Sequence, residues 1–267
     1  MAEEKSYPSI VDASKPNAGR IYDFVLGGNH NFEVDREAAL KLMEQSPLFP
    51  KVARLIRWFL GESVRRLAAD GYSRFIDFAS GLPTKDHIHQ VTPPETKVIY
   101  SDIDPVIVAY GQEILRENHN ARYMVCNAGR PEDLLSSGMV SELFGGDRKV
   151  AIGFNGIAFF LSNEEIDHAM KALYDWVDPS SRLFLCDSGF EGTVISPTLE
   201  ETLNIYRKLG QPFRLRTLDT LKELIRPWRP TGLGFRPLEE WVDLKVSIAE
   251  GTLHSDRLLF QGAILEK

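Results

Sequence analysis

The feature that most constrains the fold of this chain is a regular alternation that begins after Gly71. Five short apolar runs are separated by segments with helical periodicity. Runs of this kind are typical of parallel strands that are buried on both faces. They span residues 74–79, 97–101, 121–126, 149–154 and 182–186. The alternation predicts right-handed strand–helix–strand units in an open, doubly wound α/β sheet.

Two of the intervening segments carry helix-start signals. Asp104 is followed by Pro105, which is the pattern of an N-cap residue with proline at the first helical position. Ser162 precedes Glu165 by three residues, which is the spacing of a capping box. We therefore expect a helix to begin directly after Asp104 and another directly after Ser162.

The C-terminal part departs from the parallel pattern. Residues 241–249 and 257–265 each alternate apolar and polar side chains, and Gly251 lies in the short connection between them. This period of two predicts an antiparallel hairpin that closes one edge of the sheet. A mostly parallel sheet with such an ending differs from a plain dinucleotide-binding fold.

The first 70 residues carry helical patterns instead. Residues 50–70 place apolar side chains at 3–4 spacing and are followed by Gly71, a favourable residue after a helix end. Residues 33–45 predict a second amphipathic helix, and neither helix is long enough to be stable alone. We predict a helical N-terminal cap over 1–70, packed on a Rossmann-like domain over 71–267 as one structural unit.

Composition narrows the classes of function. The 267 residues include 38 acidic and 31 basic side chains, a net charge of −7, without a basic run, which disfavours nucleic-acid and anionic-membrane partners. The two cysteines, Cys126 and Cys186, lie in apolar runs and are expected to be buried, reduced thiols. No signal-peptide layout or membrane-spanning run is visible. We expect a cytoplasmic protein with a small-molecule partner; its oligomeric state is not indicated.

Polar and small residues follow the strands at the edge where an open α/β sheet binds ligands. Asp77 ends the first run, and the small residues 79–81 allow the backbone to approach a ligand closely. Asp102 ends the second run, at the position where a carboxylate accepts the hydroxyl groups of a ribose. Asn127 and Ala128 follow the third run and offer an amide to a base edge. In this order the residues predict a nucleoside ligand.

The ligand is predicted to lack phosphates. A dinucleotide fingerprint requires a third glycine near Pro83, and no P-loop motif is present. S-adenosylmethionine fits this requirement. A nicotinamide-dependent Rossmann oxidoreductase and a nucleoside-binding protein without turnover are the alternatives; the former requires a Tyr-x-x-x-Lys pair that Tyr206-Arg207-Lys208 does not match. A hydrolase is disfavoured because no Gly-x-Ser-x-Gly motif occurs.

Several segments resemble, in order, the motifs of a bacterial S-adenosylmethionine-dependent methyltransferase family first catalogued as a domain of unknown function. They are PNAGRIYDFVLGGNHNFEVDREA at 16–38, DFASGLPT at 77–84, His89, YSDIDP at 100–105 and the final strand GAILEK at 262–267. The resemblance covers essentially the whole chain. It implies a class I methyltransferase fold of seven strands, the last inserted antiparallel between strands five and six, and S-adenosyl-L-methionine as cofactor. It leaves the methyl acceptor open.

The cofactor-binding residues expected from strand ends and resemblance together form one set. They are Asp77, Ala79, Ser80, Gly81, Asp102, Ile103, Asn127, Ala128 and Asn155. Two of them depart from the family's usual pattern: Ala79 stands in place of the first loop glycine, and Asn127 stands where aspartate is usual. The second departure keeps an acceptor but loses a charge, so we expect weaker or differently oriented adenine binding.

Residues 20–31 are predicted to form a lid that lines the acceptor pocket, because their polar side chains exceed what core packing requires. An ordinary helix–helix turn is the alternative. The lid and pocket residues expected from this segment are Arg20, Tyr22, Gly27, Gly28 and Asn31. The Gly27–Gly28 pair is free to adopt left-handed backbone angles.

The catalytic residues are not specified by the sequence. Candidate catalytic residues are Tyr22, Asp23 and His30. If the acceptor requires a general base, Asp23, His30, His87 and His89 are available. Candidates for rings facing a cationic sulfur are Tyr22, Phe154 and Phe159. No metal site is predicted, since His87 and His89 have no third clustered ligand.

Overall fold

The computed structural model describes residues 14–192, 194–208, 210–243 and 258–267. Within these residues the chain forms a single eight-stranded sheet. Its strands are β1 (Arg74–Asp77), β2 (Lys97–Asp102), β3 (Ala121–Val125), β4 (Ala151–Asn155), β5 (Arg182–Phe190), β6 (Arg229–Pro230), β7 (Arg236–Pro237) and β8 (Leu258–Glu266). The spatial order is β3-β2-β1-β4-β5-β8-β6, and β7 also pairs with β8.

The pairing confirms the predicted mostly parallel, doubly wound sheet. β1 to β5 are parallel, with Asp77 opposite Tyr100 on one side and Gly153 on the other. β8 is antiparallel to β5 over its full length, from the Arg182–Glu266 pair to the Phe190–Leu258 pair. Each of the five apolar runs contains a strand. β8 lies between β5 and β6, the arrangement that the resemblance implied.

The predicted C-terminal hairpin is only partly observed. Its second arm is β8, but β8 lies inside the sheet and not at its edge. The start of its first arm is wrong, because Trp241 ends the short helix Leu238–Trp241. The Trp241 indole packs edge-on against Phe59 at 5.2 Å and donates Nε1–H to the Gly262 carbonyl at 3.0 Å. Residues 244–249 lie outside the described residues.

Helices cover both faces of the sheet. They are α1 (Ala18–Val25), α2 (Glu33–Gln45), α3 (Phe49–Ala69), α4 (Ile88–Val91), α5 (Pro105–Ile114), α6 (Glu132–Leu135), α7 (Gly138–Phe144), α8 (Asn163–Trp176), α9 (Pro197–Lys208), α10 (Leu218–Leu224) and α11 (Leu238–Trp241). α6, α7, α8 and α10 pack in one apolar core, and α3, α4, α5 and α11 pack in the core on the opposite face. Layers of this kind leave the strand ends open to a ligand.

The helix-start signals are confirmed by the caps. Asp104 Oδ1 accepts from Val106 N at 2.7 Å at the start of α5. Ser162 and Glu165 form the reciprocal capping box of α8, at 3.1 and 2.7 Å. Gly71 follows α3 with φ +87°, in the left-handed region that favours glycine.

The three N-terminal helices divide into two groups. α3 packs directly on the sheet, since Phe59 and Val64 are buried in the same apolar cluster as Phe75 and Phe184. α1 and α2 form a smaller apolar cluster with each other, with Ala53 of α3 and with Tyr206 of α9. α1 and α2 therefore lie over the helical layer, whereas α3 belongs to it.

Candidate active site

A cavity of about 470 Å³ lies where the strand order reverses between β1 and β4. Such a switch point opens a crevice beyond the carboxyl ends of the strands. All the residues expected to bind the cofactor line this one cavity: Asp77, Ala79, Ser80, Gly81, Asp102, Ile103, Asn127, Ala128 and Asn155. The topology thus brings together side chains that lie after four different strands.

The loop after β1 is fixed by its own hydrogen bonds. Ser80 Oγ donates to the Asp77 carbonyl at 2.7 Å, and Ser80 N donates to the Ser101 carbonyl at 2.8 Å. Both Ala79 and Gly81 have left-handed φ angles, +53° and +64°. At position 79 this conformation costs an alanine about 1 kcal/mol, which is why a glycine suits this place.

Asp77 presents a buried carboxylate to the cavity. Its side chain is 1% exposed, and Oδ2 has no hydrogen-bond partner among the described residues. Burial raises the pKa of Asp77 to about 7, against the opposing effect of the Arg57 guanidinium. A buried acceptor without a donor is costly, so this atom is suited to receive a donor from a ligand.

Arg57, which the sequence analysis missed, brings a cation into the same cavity. It extends from α3, is 7% exposed and donates from Nη1 to His87 Nε2 at 2.9 Å. Its Nε has no hydrogen-bond partner among the described residues. One signal was available in the sequence: Arg57 is the charged member of the buried helical row Ala53, Arg57, Leu60, Val64.

Asp102 lies at the end of β2 as expected. Its Oδ2 accepts from Gly81 N at 3.2 Å and its Oδ1 from Asp104 N at 3.0 Å. Burial raises the pKa of Asp102 to about 6, opposed by these backbone donors. Each carboxylate oxygen keeps a lone pair for a ligand hydroxyl. The neighbouring Ile103 is 57% exposed and lines the cavity with an apolar surface.

The two asparagines of the predicted site differ in how free their amides are. Asn127 Oδ1 accepts from Gly129 N at 2.9 Å in a tight turn. Asn155 is engaged at both ends, since Nδ2 donates to the Ile56 carbonyl at 3.1 Å and Oδ1 accepts from Cys186 Sγ at 3.0 Å. Asn155 therefore ties α3 to the end of β4 and to the middle of β5, and it also lines the cavity.

Replacing Asn127 tests an adenine contact. Asn127→Asp keeps the turn acceptor and adds a second oxygen, so we expect S-adenosylmethionine affinity to be preserved or tightened. Asn127→Leu is expected to weaken binding about tenfold through the loss of a buried hydrogen-bonding group, and to cost the folded protein about 1 kcal/mol through the lost turn bond to Gly129. Calorimetric titration and thermal unfolding measure the two effects. Unchanged affinity in the leucine variant would assign the adenine contact to other groups.

Of the five residues named for the lid and pocket, the structure brings one to the cavity. Tyr22 lines it, whereas Arg20, Gly27, Gly28 and Asn31 are not among the lining residues. Arg20, 2% exposed, forms an ion pair with the buried Asp35, with Nε 2.7 Å from Oδ2. Core packing requires this arginine after all, because the carboxylate it pairs with is itself buried.

The rest of the segment is organised around Asp23. This buried carboxylate accepts from His30 N at 2.8 Å, Asn31 Nδ2 at 2.9 Å and Thr84 Oγ1 at 2.9 Å. Gly27 has φ +81°, in the left-handed region that favours glycine. Gly28 is required for a different reason: a Cβ at this position would collide with the Asp23 carboxylate. Asp23 and His30, two candidates for a general base, do not line the cavity.

The aromatic and histidine candidates also separate. Phe159 lines the cavity, but Phe154 is fully buried against Phe78 in the core, so its expected place beside the sulfur is wrong. Burial and the adjacent Arg57 guanidinium hold the pKa of His87 well below its ordinary value. His89 Nδ1 lies 2.9 Å from the Tyr100 hydroxyl, and neither histidine lines the cavity.

The described residues offer neither a metal centre nor a membrane span. No three His, Cys, Asp or Glu side chains gather there as a metal-ligand set. None of the helices in this part of the chain combines the length and apolarity that a bilayer span requires. Cys126 and Cys186 are both buried and unpaired in disulfides, as expected.

Strand order, the antiparallel β8 between β5 and β6 and a ligand cavity at the switch point define the class I methyltransferase fold. The chain belongs to the S-adenosyl methyltransferase family, whose model matches residues 4–249. It is an S-adenosylmethionine-dependent methyltransferase of that family. The predicted family, fold and cofactor are confirmed.

Solved structures support the same fold. A candidate methyltransferase from Thermobifida fusca YX superposes with a TM-score of 0.81 at 28% identity, over 96% of each chain. A DUF574 family protein from Streptomyces avermitilis MA-4680 gives 0.80 at 22% identity, over 96% of this chain and 99% of that one. Geranyl diphosphate C-methyltransferase from Streptomyces coelicolor A3(2) gives 0.53 at 10%, over 91% and 88%. No curated protein matches the chain.

Proposed function

We propose that this methyltransferase acts on a small-molecule acceptor, and that both acceptor and cofactor bind in the cavity at the switch point. The observation that carries this proposal is the composition of the lining. Carboxylates, amides and a buried guanidinium lie at the ends of β1 to β4 and on α3, and a cluster of aromatic side chains continues the same cavity. A cavity of about 470 Å³ is within the size range of small-molecule sites.

The polar residues fit the functional groups of S-adenosylmethionine. The unpartnered Asp77 Oδ2 suits the ammonium group, and the unpartnered Arg57 Nε suits the carboxylate. Asp102 suits the ribose hydroxyls, Asn127 the adenine edge and Ile103 the face of the base. When bound, the cofactor would supply an electrophilic methyl group on a cationic sulfur: an acceptor lone pair would form the new bond to the methyl carbon, and the carbon–sulfur bond would break with its electrons left on the sulfur.

Tyr22 contributes as an oriented ring. Its hydroxyl donates to the Ala53 carbonyl at 2.9 Å, and the Arg57 guanidinium lies 5.5 Å from its ring centroid. Burial raises the pKa of Tyr22 to about 12, so the hydroxyl stays protonated at neutral pH. Tyr22 therefore serves to position groups and exclude water, and not as a general base.

Binding and turnover experiments test this function. Calorimetric titration is expected to show binding of S-adenosylmethionine and its demethylated product and none of NADH. A screen of small molecules is then expected to find acceptor-dependent formation of S-adenosylhomocysteine by mass spectrometry. If S-adenosylmethionine binds but no small molecule, protein or nucleic acid accepts its methyl group, a nucleoside-binding protein without turnover is favoured. If only a macromolecule accepts the methyl group, the proposal of a small-molecule acceptor is overturned.

We further propose that α1 is the lid over the cofactor. Its N-cap residue Asn17 and the helix residues Gly19, Ile21 and Tyr22 line the cavity, and the Asn17 side chain donates to Asp104 beside the Asp102 site. The proposed lid overlaps the first part of the segment 20–31 that the sequence predicts as a lid. The loop that follows, held by hydrogen bonds to Asp23, supports the helix. Closure of such a helix shields the reaction from water.

Hydrogen exchange tests the lid. Amide exchange in Ala18–Val25 is expected to slow when S-adenosylhomocysteine saturates the protein. Asn17→Ala is expected to reduce that protection at least about threefold, because it removes both the hydrogen bond to Asp104 and the helix cap that accepts from Arg20 N. Asn120→Ala is the matched control, since its side chain donates to the Pro94 carbonyl at 3.0 Å and does not line the cavity. Equal exchange with and without ligand would make α1 a fixed scaffold.

A further inference from the structure

The half of the cavity beyond β4 has an aromatic wall. Its rings are those of Phe159, Phe160, Tyr206, Phe213 and Phe260. Phe159 and Phe213 stack with centroids 4.6 Å apart and an interplanar angle of 15°. Phe160 meets Phe159 edge-on at 4.7 Å, and Tyr206 lies 5.6 Å from Phe160. We call these five rings the aromatic wall.

The aromatic wall borders the residues proposed to hold the cofactor. Its rings come from the turn after β4, from α9, from the segment before α10 and from β8. The Phe159 ring carbon Cζ lies 4.0 Å from where a Cβ on Gly156 would be, and Gly156 directly follows Asn155 at the end of β4. A molecule against the wall therefore lies next to the strand end that faces the cofactor.

Charge is scarce in this half of the cavity. The other described residues beside the wall include the apolar Leu199, Leu203 and Leu258. Burial raises the pKa of Tyr206 well above its ordinary value, so its hydroxyl stays neutral. Arg214 contributes the one cation among the described residues near the wall, and its Nη1 donates to the Phe160 carbonyl at 2.6 Å. A cationic ring placed here would lose hydration and meet the Arg214 guanidinium, which carries the same charge.

Backbone contacts hold the wall in place. Arg216 is buried and donates to the Ala158 and Leu161 carbonyls, both at 2.8 Å, while it pairs with Asp187 at 3.1 Å. Arg214 N donates to the Phe159 carbonyl at 2.7 Å. The turn that carries Phe159 is thus fixed from both sides, and a rigid wall selects ligands by shape.

From these contacts, and building on the proposed methyltransferase function, we propose that the acceptor is a planar aromatic small molecule without a cationic group, and that it binds against the aromatic wall. Flat rings pair with Phe and Tyr rings in stacked and edge-on geometries, which adds affinity beyond the burial of apolar area. A saturated molecule of the same skeleton gains the burial but not the ring contacts. The pocket therefore discriminates by planarity and by charge.

Paired probe molecules test this acceptor class. The full chain is saturated with S-adenosylhomocysteine and titrated with 2-naphthol, with decahydro-2-naphthol and with 2-naphthylmethylamine, which is a cation at neutral pH. We expect 2-naphthol to bind about tenfold more tightly than its saturated counterpart, the effect of one or two favourable ring pairs. We expect the cationic 2-naphthylmethylamine to bind about tenfold more weakly than 2-naphthol, because it meets the Arg214 guanidinium. Equal or tighter binding of either comparison molecule would overturn the proposal.

Variants locate the effect at the wall. Phe159→Leu and Phe213→Leu are each expected to reduce the preference for 2-naphthol over decahydro-2-naphthol to about threefold or less. Phe235→Leu is the matched control, because Phe235 is half-buried in the other apolar core and does not line the cavity. A preference that survives both wall variants would overturn the assignment of the wall.

The order of titrations separates this inference from the proposed function. S-adenosylhomocysteine is titrated alone into wild type and each variant before any probe is added. Absence of binding to wild type would overturn the proposed cofactor cavity, and the acceptor class with it. Binding of S-adenosylhomocysteine together with indifference between the two naphthol skeletons would overturn the acceptor class alone.

Discussion

Asp102→Ala is expected to weaken S-adenosylmethionine binding by about 30-fold to 1000-fold, or 2 to 4 kcal/mol, the loss that follows when a charged acceptor is removed from buried donors. The variant removes the carboxylate that accepts from Gly81 N and Asp104 N, and with it the proposed acceptor for the ribose hydroxyls. Calorimetric titration measures the affinity directly, and far-UV circular dichroism and thermal unfolding check that the fold persists.

Asp102→Asn supplies the graded comparison. The amide keeps the shape and one acceptor oxygen, so its affinity should lie between wild type and the alanine variant. Asp133→Ala, an exposed carboxylate in α6, serves as control and should bind like wild type. Alanine-variant affinity within twofold of wild type would show that the ribose lies elsewhere.

The parts of the fold that follow from local signals were predictable. The α2 bounds, the Asp104–Pro105 helix start and the Ser162–Glu165 capping box each depend on residues within a few positions of each other. The strand-end residues were predictable for a topological reason: parallel strands with crossover helices place all their carboxyl ends at one edge. Neither inference requires knowledge of side-chain contacts.

Contacts between distant segments were not predictable in the same way. The aromatic wall assembles rings from the turn after β4, from α9 and from β8, and no spacing in the sequence relates Phe159 to Tyr206 or Phe260. Arg57 reaches Asp77 only because α3 packs on the sheet. Trp241 reaches Gly262 for a similar reason. Its alternating pattern predicts a strand because the sequence does not show this contact.

The lid segment shows how a polar cluster misleads when its members bond to each other. Arg20 pairs with Asp35, and Asp23 collects donors from His30, Asn31 and Thr84. These side chains are polar because they organise a short loop, not because they face a ligand. Sequence alone does not distinguish polar residues that organise a loop from polar residues that face a ligand. Tyr22 lines the cavity, but no spacing or motif in the segment sets it apart from the others.

Asp77→Asn is expected to shift cofactor affinity and stability in opposite directions. The folded pKa of Asp77, about 7, is above its ordinary value of 3.8 because burial disfavours the charged form. The proton therefore binds the folded state more tightly, and its stabilising contribution is present at low pH and lost as pH rises through about 7. Asparagine is uncharged and removes the cost of burying an ionised carboxylate. The cofactor-free variant should therefore be more stable than the wild type by roughly 3 kcal/mol at pH 8.

The stability gained by Asp77→Asn over the wild type should shrink as pH falls from 8 to 5, because Asp77 of the wild type then takes up its proton. Cofactor affinity should fall at least about 30-fold in the variant, which no longer offers a charged acceptor to the ammonium group. Wild-type affinity should itself drop about tenfold from pH 8 to pH 6 as Asp77 protonates, and this dependence should flatten in the variant, leaving the smaller contribution of Asp102.

Thermal unfolding without ligand at pH 8 and pH 5, together with calorimetric titration from pH 6 to 8, measures both effects on the same preparations. Asp133→Asn is the control and should change neither quantity, because that side chain is exposed. A less stable Asp77→Asn protein that binds the cofactor normally would make Asp77 a structural acceptor. A more stable variant that binds the cofactor weakly would instead show that the Asp77 carboxylate is buried and unpaired at a cost to the stability of the fold. That cost is retained because the ligand completes the hydrogen bonds of the carboxylate.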